Sequence, residues 1–414
     1  MLKYLLSFML MAVLAFPAYA DDIETRIKNL EDALKSQEKD SRASSGLFGG
    51  SALMNPNISL ILDTFFYGSN LSPSEIEERE ISGYIHEEFE HKKGFNLESA
   101  ELFFFAPVDP YFNLYATIPV TEEEVELEEA YFVTTALSAG LQLKGGKFKS
   151  GFGRLNGQHR HQWDFADSPL PYRAFLGDEG LIEKGVQVTY LPALPFYAEL
   201  GLEALQGENE VLFREDAATG PRAYAAFAKA SLDLDEKSTL LFGPSVAFGK
   251  TNTGSIGENT GFEGDSTLWG LELTYKLTPS EKRAFKLQAE YLYRDQDGDL
   301  SEFDDDGNLL TLEGLERKQD GYYVQAVYRV DRWRLGARYD GLGLFKDKYI
   351  LDGEPVDFGN DPWRATAAIE YNPSEFTRLR LQYNHDRSLS GGETNREVFL
   401  QAIFGIGAHS AHKF

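Results

Sequence analysis

The stretch Phe285-Lys286-Leu287-Gln288-Ala289-Glu290-Tyr291-Leu292-Tyr293-Arg294 alternates apolar and polar side chains along most of its length. The same period of two returns at residues 378–384, where Leu379, Leu381 and Tyr383 alternate with polar residues. Successive side chains of a β-strand point to opposite faces, so both stretches predict strands with one apolar and one polar face. A soluble sandwich and an outer-membrane barrel share this pattern, and the period alone does not choose between them.

The connections between such stretches favour the barrel. From residue 57 onward we count about sixteen strand-like runs, whose connections alternate between short turns and long polar insertions. The predicted runs are 57–67, 95–106, 111–118, 125–135, 141–148, 181–191, 196–205, 223–234, 238–249, 267–277, 284–294, 321–330, 333–342, 363–371, 377–386 and 397–407. The insertions are 68–94, 149–180, 206–222, 250–266, 295–320, 343–361 and 387–396. This asymmetry predicts an all-β transmembrane antiparallel barrel, and an even strand number places both of its ends in the periplasm.

The N-terminus is typical of an exported protein. Lys3 precedes an apolar run at residues 5–16 and the small-residue cleavage site Ala18-Tyr19-Ala20. Residues 21–40 then repeat Ile and Leu at heptad spacing, which predicts a short periplasmic helix that joins subunits as a coiled coil, or else a lone amphipathic helix. The chain divides into a signal peptide at 1–20, this helix at 21–40, a linker at 41–56 and the barrel at 57–414, whose last residue, Phe414, is the aromatic terminus typical of bacterial barrels.

Composition excludes several functions. The 414 residues include no Cys, which removes disulfides, thiolate catalysis and Cys-ligated metal sites. A formal net charge of -26 disfavours nucleic acid as a partner. We find no nucleophile elbow, phosphate-binding loop or dinucleotide fingerprint, so the sequence does not predict an enzyme or a cofactor. Acidic residues at 295–306 suggest at most weakly bound divalent cations, alongside outer-membrane lipid and lipopolysaccharide as partners.

Charged residues are candidates for the barrel lumen. Acidic side chains concentrate early, at Glu98, Glu101 and Glu128, and basic ones late, at Arg338, Arg364 and Arg380. Closure of the sheet would set an acidic wall against a basic wall and filter solutes by charge, with a weak preference for cations. Alternatively, these charges only solvate the lumen and the turns.

The insertion at 149–180 is the richest in aromatic residues. So much apolar surface predicts that it folds into the barrel and narrows it. Its candidate constriction residues are Arg154, His159, Arg160 and His161. A packed outer loop at a subunit interface is the alternative.

The histidines raise the question of a metal. His86 with His91, His159 with His161, and His409 with His412 form three close pairs in the sequence. Neutral imidazole binds zinc and copper, so a site would exist if two pairs met in space. The spacing is not that of the His-Glu-x-x-His motif, and a structural role is the alternative.

A family resemblance adds to these expectations. The segments Gly145-Gly146-Lys147-Phe148 and Phe152-Gly153-Arg154 resemble the start of the third loop in trimeric outer-membrane porins, particularly the superfamily that contains the phosphate-selective porins O and P. This resemblance implies a homotrimer that passes small hydrophilic solutes or ions by diffusion. The block from Phe95 to Leu176 also resembles uncharacterised porin-like envelope proteins that are sometimes labelled zinc-regulated or receptor-like. Two alternatives therefore remain: a metal-linked uptake or receptor protein, with zinc as the metal, and a structural envelope anchor.

Overall fold

A computed structural model describes most of the chain from residue 56 onward. The described ranges are 56–77, 79–86, 91–214, 217–253, 259–304, 306–359, 361–389 and 392–407. The predictions for the signal peptide, the heptad helix and the linker lie outside these residues, as do His409, His412, Phe414 and the side chain of His86.

Sixteen strands build the wall of a closed barrel, and each corresponds to one of the predicted runs. They are β1 (Asn57–Ser69), β2 (Gly94–Asp109), β3 (Phe112–Val120), β4 (Glu129–Thr134), β5 (Leu141–Lys149), β6 (Ile182–Tyr190), β7 (Tyr197–Leu205), β8 (Ala223–Asp235), β9 (Ser238–Thr253), β10 (Thr260–Ser280), β11 (Arg283–Phe303), β12 (Leu309–Val330), β13 (Trp333–Leu351), β14 (Trp363–Ser374), β15 (Thr377–Asp386) and β16 (Asn395–Gly407). Each strand pairs antiparallel with the next one.

The barrel closes between its first and last strands. β1 pairs with β16 in an unbroken register from Ser59 opposite Gly407 to Ser69 opposite Glu397. Closure leaves no unpaired sheet edge in the wall. Short strands at Glu354–Pro355, which extend β13, and at Glu80–Ile81 with Ile85–His86 lie outside the wall.

Helices are few in the described part of the chain. They include α1 (Pro73–Glu77), α2 (Leu170–Leu176) and a 3-10 turn at Arg160–Gln162. No helix among the described residues has the length and apolar character needed to cross a membrane.

The two faces of the wall have the polarity opposite to that of a water-soluble barrel. On β15, Leu381 and Tyr383 are 45% and 42% exposed on the outer face, whereas Arg380, Gln382 and Asn384 are at most 3% exposed on the inner face. On β11 the buried, inward side chains include Gln288, Glu290 and Arg294. The polar face therefore lines the lumen, and the apolar face is turned outward.

Aromatic side chains mark both ends of this outer apolar face. Trp333 and Tyr371 meet across β13 and β14 with ring centroids 4.7 Å apart near the short turns. Tyr339 and Trp363 meet across the same two strands at 5.7 Å near the other end.

The predicted loops at 295–320 and 343–361 are largely strand instead. β11 continues to Phe303 and β12 starts at Leu309. The two strands are paired without interruption from Asp299 opposite Gly314 toward the short-turn end of the barrel. Leu300, Leu315 and Tyr349 of these extensions are buried in a small apolar cluster. Apolar and polar residues do not alternate regularly there, so the period of two that identified the inner strands is lost although the backbone pairing continues. Asp295, Asp297 and Asp299 consequently lie along one strand and do not form a cation-binding loop.

Candidate functional site

Residues 150–181, called L3 below, form a compact loop that runs inside the barrel. Its two ends are joined where the Ser150 N–H donates to the carbonyl of Leu181 at 2.9 Å. The Asn156 amide donates to the carbonyls of both residues at 3.0 and 3.1 Å. Contacts with lumen-facing side chains on β2, β4, β11 and β13 to β15 hold L3 against the inner wall, in agreement with the prediction that this insertion enters the barrel.

Glu290 on β11 holds the start of L3. Its carboxylate accepts hydrogen bonds from the backbone N–H groups of Arg154 and Leu155 at 2.7 and 2.9 Å, and from the Tyr172 hydroxyl at 2.9 Å. Gly153 has a φ of +61°, and a Cβ there would lie 2.5 Å from a Glu290 oxygen. L3 therefore requires glycine at this turn. No sequence pattern distinguished Glu290 from the other carboxylates of the lumen.

His159 lies between the carboxylates of two residues near the start of β4, Glu128 and Glu129. Its Nδ1 is 3.1 Å from Glu128, and its Nε2 is 3.1 Å from Glu129. The Lys149 ammonium is 2.7 Å from the other oxygen of Glu128. Burial alone would lower the pKa of His159, but the neighbouring charges of Glu128 and Glu101 and the hydrogen bonds to Glu128 and Glu129 outweigh it and raise the pKa to about 10. His159 is therefore a cation at neutral pH.

Arg160 and His161 extend this group along the same wall. The Arg160 guanidinium pairs with Glu98 on β2 and with Asp178 at the other end of L3. His161 Nδ1 is 3.2 Å from Glu101, and its ring stacks on that of His159 with centroids 5.7 Å apart. The structure thus brings the predicted acidic residues and the predicted constriction residues of L3 together, except that Arg154 points elsewhere.

The following part of L3 is acidic and faces the basic wall. Asp164 pairs with Lys286 and Arg334. Asp167 lies 2.9 Å from Arg338 and 3.0 Å from Arg364. Burial would raise the pKa of Asp167, but Arg338 and Arg364 outweigh it and hold the pKa well below its ordinary value.

Arg380 completes the basic wall. Its guanidinium is 2.8 Å from Glu370 and donates to the carbonyl of Trp163 in L3 at 2.7 Å. The three basic residues predicted for the lumen therefore all contact L3.

Each charged segment of L3 thus faces a part of the wall that carries the opposite charge. Its basic segment at 159–161 faces the carboxylates of β2 and β4, and its acidic segment at 164–167 faces the guanidiniums of β13 to β15. Strands β16 and β1 separate β15 from β2, whereas β13 and β4 are seven strand positions apart, so the two walls adjoin at one end and lie nearly opposite each other at the other. L3 runs between these walls and neutralises charges on each of them, and a transverse field across the lumen stays a prediction.

The predicted metal ligands lie in an ion-pair network. Glu101, Glu128 and His159 offer ligand atoms within 4.8 Å of one another. Both ring nitrogens of His159 already face carboxylates, which is the arrangement of a protonated imidazolium, and a metal ligand must be the neutral imidazole. His91 lies 3.8 Å from Glu98 and packs its ring edge on Phe65, in a separate position from His159.

Two other insertions also reach into the lumen, which sequence reasoning missed. Arg294 on β11 donates to the carbonyls of Ala174 in L3 and of Tyr84 in the first insertion at 3.1 and 3.3 Å. Leu212 and Phe213 of the insertion at 206–222 belong to the same buried apolar cluster as Tyr84. The apolar residues of these two insertions are few and scattered in the sequence, so the pattern did not distinguish the insertions from outer loops.

Comparison with known proteins places this architecture in a recognisable class. An anion-selective porin from Comamonas acidovorans superposes with a TM-score of 0.53 at 10% identity, over 85% of this chain and 99% of that one. The trimer form of OmpT, an outer membrane protein of Vibrio cholerae, gives a TM-score of 0.50 at 13% identity over 85% and 99%. The fold is therefore that of the sixteen-stranded porin-type β-barrels.

The sequence itself has a nearer relative. It is 43% identical over 387 residues to an uncharacterized protein of Aquifex aeolicus (strain VF5), an alignment that covers 87% of this chain and 80% of that protein. The chain belongs to the same family as this Aquifex protein. No protein-family model matches the sequence.

Proposed function

We propose that this protein is an outer-membrane channel through which small hydrophilic solutes or ions diffuse, with L3 setting the width and charge of the path. The inverted polarity of the wall carries this proposal. A lumen lined by buried Arg380, Gln382 and Asn384 behind an outer face of exposed Leu381 and Tyr383 suits lipid outside and water inside. In a closed barrel every backbone group of the wall is paired, as lipid requires.

The outer apolar band has a suitable height. Trp363 and Tyr371 bound it on β14 and are eight residues apart in the chain. With about 3.4 Å per residue and a tilt of about 40°, the band is about 20 Å tall, close to the roughly 25 Å found for outer-membrane barrels. Aromatic residues at both limits of the band are typical of the two membrane interfaces.

The orientation follows from the turns. β1 begins and β16 ends at the end of the barrel that carries the short turns. In outer-membrane barrels this end faces the periplasm, so the segment before Asn57 would be periplasmic and the long insertions would face lipopolysaccharide. A homotrimer is part of the proposal, supported by the heptad pattern at 21–40 and by the fold shared with the trimeric OmpT form. A closer relation to the phosphate-selective porins O and P, or to the porin-like group labelled zinc-regulated or receptor-like, also belongs to the proposal.

The mechanism is exclusion and electrostatic filtering. L3 is held to the wall by ion pairs on both of its charged segments, so the free cross-section of the channel is what L3 and the other two insertions in the lumen leave open. Such a path passes solutes by size and charge without binding them tightly. No step of turnover is required, and an enzymatic role is not part of the proposal.

Single-channel recording in a planar bilayer tests this function. Purified, folded protein should give ohmic current steps, grouped in threes if the trimer is correct, and a salt gradient would then give the ion selectivity from the reversal potential. Bilayers that stay silent with protein shown to be folded by heat-modifiable gel mobility would contradict it.

A second candidate, metal-linked uptake, is favoured only by the proximity of Glu101, Glu128 and His159. It predicts zinc or copper retained at stoichiometric levels after purification and lost in the double variant His159→Ala, His161→Ala. Protein that retains no metal after equilibration with zinc would contradict it.

A further inference from the structure

An arginine continues the outer face of β15 beyond the apolar band. Outward positions alternate along this strand through Tyr383 and His385, and the next outward position is Arg387. The Arg387 N–H donates to the carbonyl of Trp363 on β14 at 2.9 Å, so the pairing of the two strands extends to this residue. The Arg387 side chain is exposed and lies at the limit of the apolar band that Trp363 marks.

A second arginine lies beside the first, on β16. The outward positions of this strand run from Leu400 through Val398 to Arg396, which is exposed. Arg396 is paired directly with His385, and Arg387 lies two positions beyond His385. The two arginines are therefore diagonal neighbours, with a separation of about 7–8 Å between such positions in a sheet. Their long side chains can converge on one ligand, and we call them the arginine pair.

No carboxylate within the described ranges neutralises the arginine pair. Asp361 and Glu393 are exposed at the same rim, and neither forms an ion pair with these guanidinium groups. The hydrogen bonds described for the two arginines use their backbone groups, such as the Arg396 N–H, which donates to the Asn70 side chain at 2.5 Å. Both guanidinium groups are thus available to a ligand from outside the protein.

Other cations on the outer face near the same rim are paired. The ammonium groups of Lys318 and Lys348 both contact Glu316, at 2.5 and 2.9 Å. Lys250 lies 2.6 Å from Asp265. The arginine pair differs from these exposed lysines, because its two like charges lie side by side without a carboxylate between them.

Aromatic side chains flank the arginine pair on both sides. On one side, the Trp363 ring on β14 lies 5.5 Å from that of His385, measured between centroids. On the other side, Phe66 near the end of β1 meets Phe95 at the start of β2, with ring centroids 5.4 Å apart. Phe95 is 89% exposed, more than any other large apolar side chain in the described part of the chain. Aromatic rings in such positions are typical of the boundary between hydrocarbon and headgroups.

We propose that the arginine pair binds the phosphate groups of a phosphorylated glycolipid in the outer leaflet of the membrane. Guanidinium groups bind phosphate through paired, charge-assisted hydrogen bonds, and the apolar face directly below them would contact the acyl chains. A free anion would not use this apolar face, so the position of the two charges favours a lipid. The proposal goes beyond the channel function and depends only on lipid around the barrel and on the orientation given above.

Binding of bisphosphorylated lipid A to the purified protein in detergent, measured by native mass spectrometry, tests this surface. The double variant Arg387→Gln, Arg396→Gln should raise the dissociation constant at least tenfold, and added salt should weaken binding to the wild type because it screens exposed charges. The double variant Arg283→Gln, Arg332→Gln removes two exposed arginines from the short-turn rim and is the matched control, which should bind as the wild type does. Binding should persist in EDTA and in the presence of inorganic phosphate.

Four results would overturn the lipid assignment. The first is an unchanged dissociation constant in the variant of the arginine pair, or an equal rise in the control. The second is loss of binding in EDTA, which would assign the lipid to divalent ions on carboxylates, and the third is displacement by inorganic phosphate, which would assign the pair to a free anion. The fourth is a variant that becomes monomeric on a native gel but still binds the lipid, which would assign the surface to a subunit contact. Silent bilayers would contradict the channel proposal alone, because lipid binding needs no open lumen.

Discussion

His159 illustrates how a buried charge in a channel loop depends on its surroundings. Its ring lies between Glu128 and Glu129, and both nitrogens act as donors. Removing one member of a buried ion-pair network leaves the others uncompensated, which costs about 3–5 kcal/mol for a fully buried pair. His159 thereby holds the basic segment of L3 to the acidic wall together with Arg160 and His161.

The pH dependence of L3 docking should follow the pKa of His159. Because this pKa is raised to about 10 in the folded protein, above about 6.5 in the unfolded chain, the contribution to stability is full below pH 6.5 and is lost as the pH rises through 10. We expect current noise from L3 to increase between pH 8 and 11 in the wild type. His159→Gln should show the noise already at pH 7 and no such transition; an identical transition in both proteins would contradict the assignment.

Gly153 offers a second test at this scale. Its left-handed backbone and the close Glu290 oxygen leave no room for a side chain, whereas a Cβ at Gly157 of the same loop would meet nothing within 4 Å. Gly153→Ala should weaken L3 docking by roughly 1–3 kcal/mol and broaden the distribution of single-channel conductances. Gly157→Ala is the matched control and should behave as wild type. Equal behaviour of the two variants would show that Glu290 does not hold the start of L3.

At the scale of elements, the strands were predictable and the loop contacts were not. The runs at 284–294 and 377–386 identified β11 and β15 because each strand turns an apolar face to one side and a polar face to the other, so apolar and polar residues alternate in the sequence. The partners of L3 depend on which strands closure brings near it. No periodicity encodes that Asp167 meets Arg338 and Arg364, which lie almost two hundred residues further along the chain.

Deleting residues 155–167 tests L3 as the element that narrows the channel. The deletion removes both charged segments of the loop, so we expect a larger single-channel conductance together with lower thermal stability, because Arg338 and Arg364 lose Asp167. Replacing the exposed residues 306–308, between β11 and β12, with two glycines is the control and should leave conductance unchanged. Unchanged conductance after the L3 deletion would assign the constriction to the other insertions in the lumen.

At the scale of the whole molecule, the outer surface distinguishes a membrane barrel from a soluble one. In lipid, Leu381→Arg in the middle of the apolar band should destabilise the protein by about 2–4 kcal/mol, because a charge would enter hydrocarbon. Leu310→Arg, on the extension of β12 beyond the band, should cost less than about 1 kcal/mol. Denaturant unfolding of protein refolded into lipid vesicles measures the unfolding free energy of both variants. Equal and negligible losses of this free energy would mean that lipid does not surround the barrel.

The position of L3 inside the barrel also determines when its contacts can form during assembly. L3 follows β5 in the chain, yet the residues that hold its start and its acidic segment lie on β11 and on β13 to β15, which are synthesised much later. Contacts between such distant segments form slowly, since the loop-closure entropy must be overcome before they contribute. An unfinished barrel would consequently leave the start and the acidic segment of L3 undocked and accessible to protease. Resistance of L3 to cleavage would thus report that the last strands have joined and that assembly is complete.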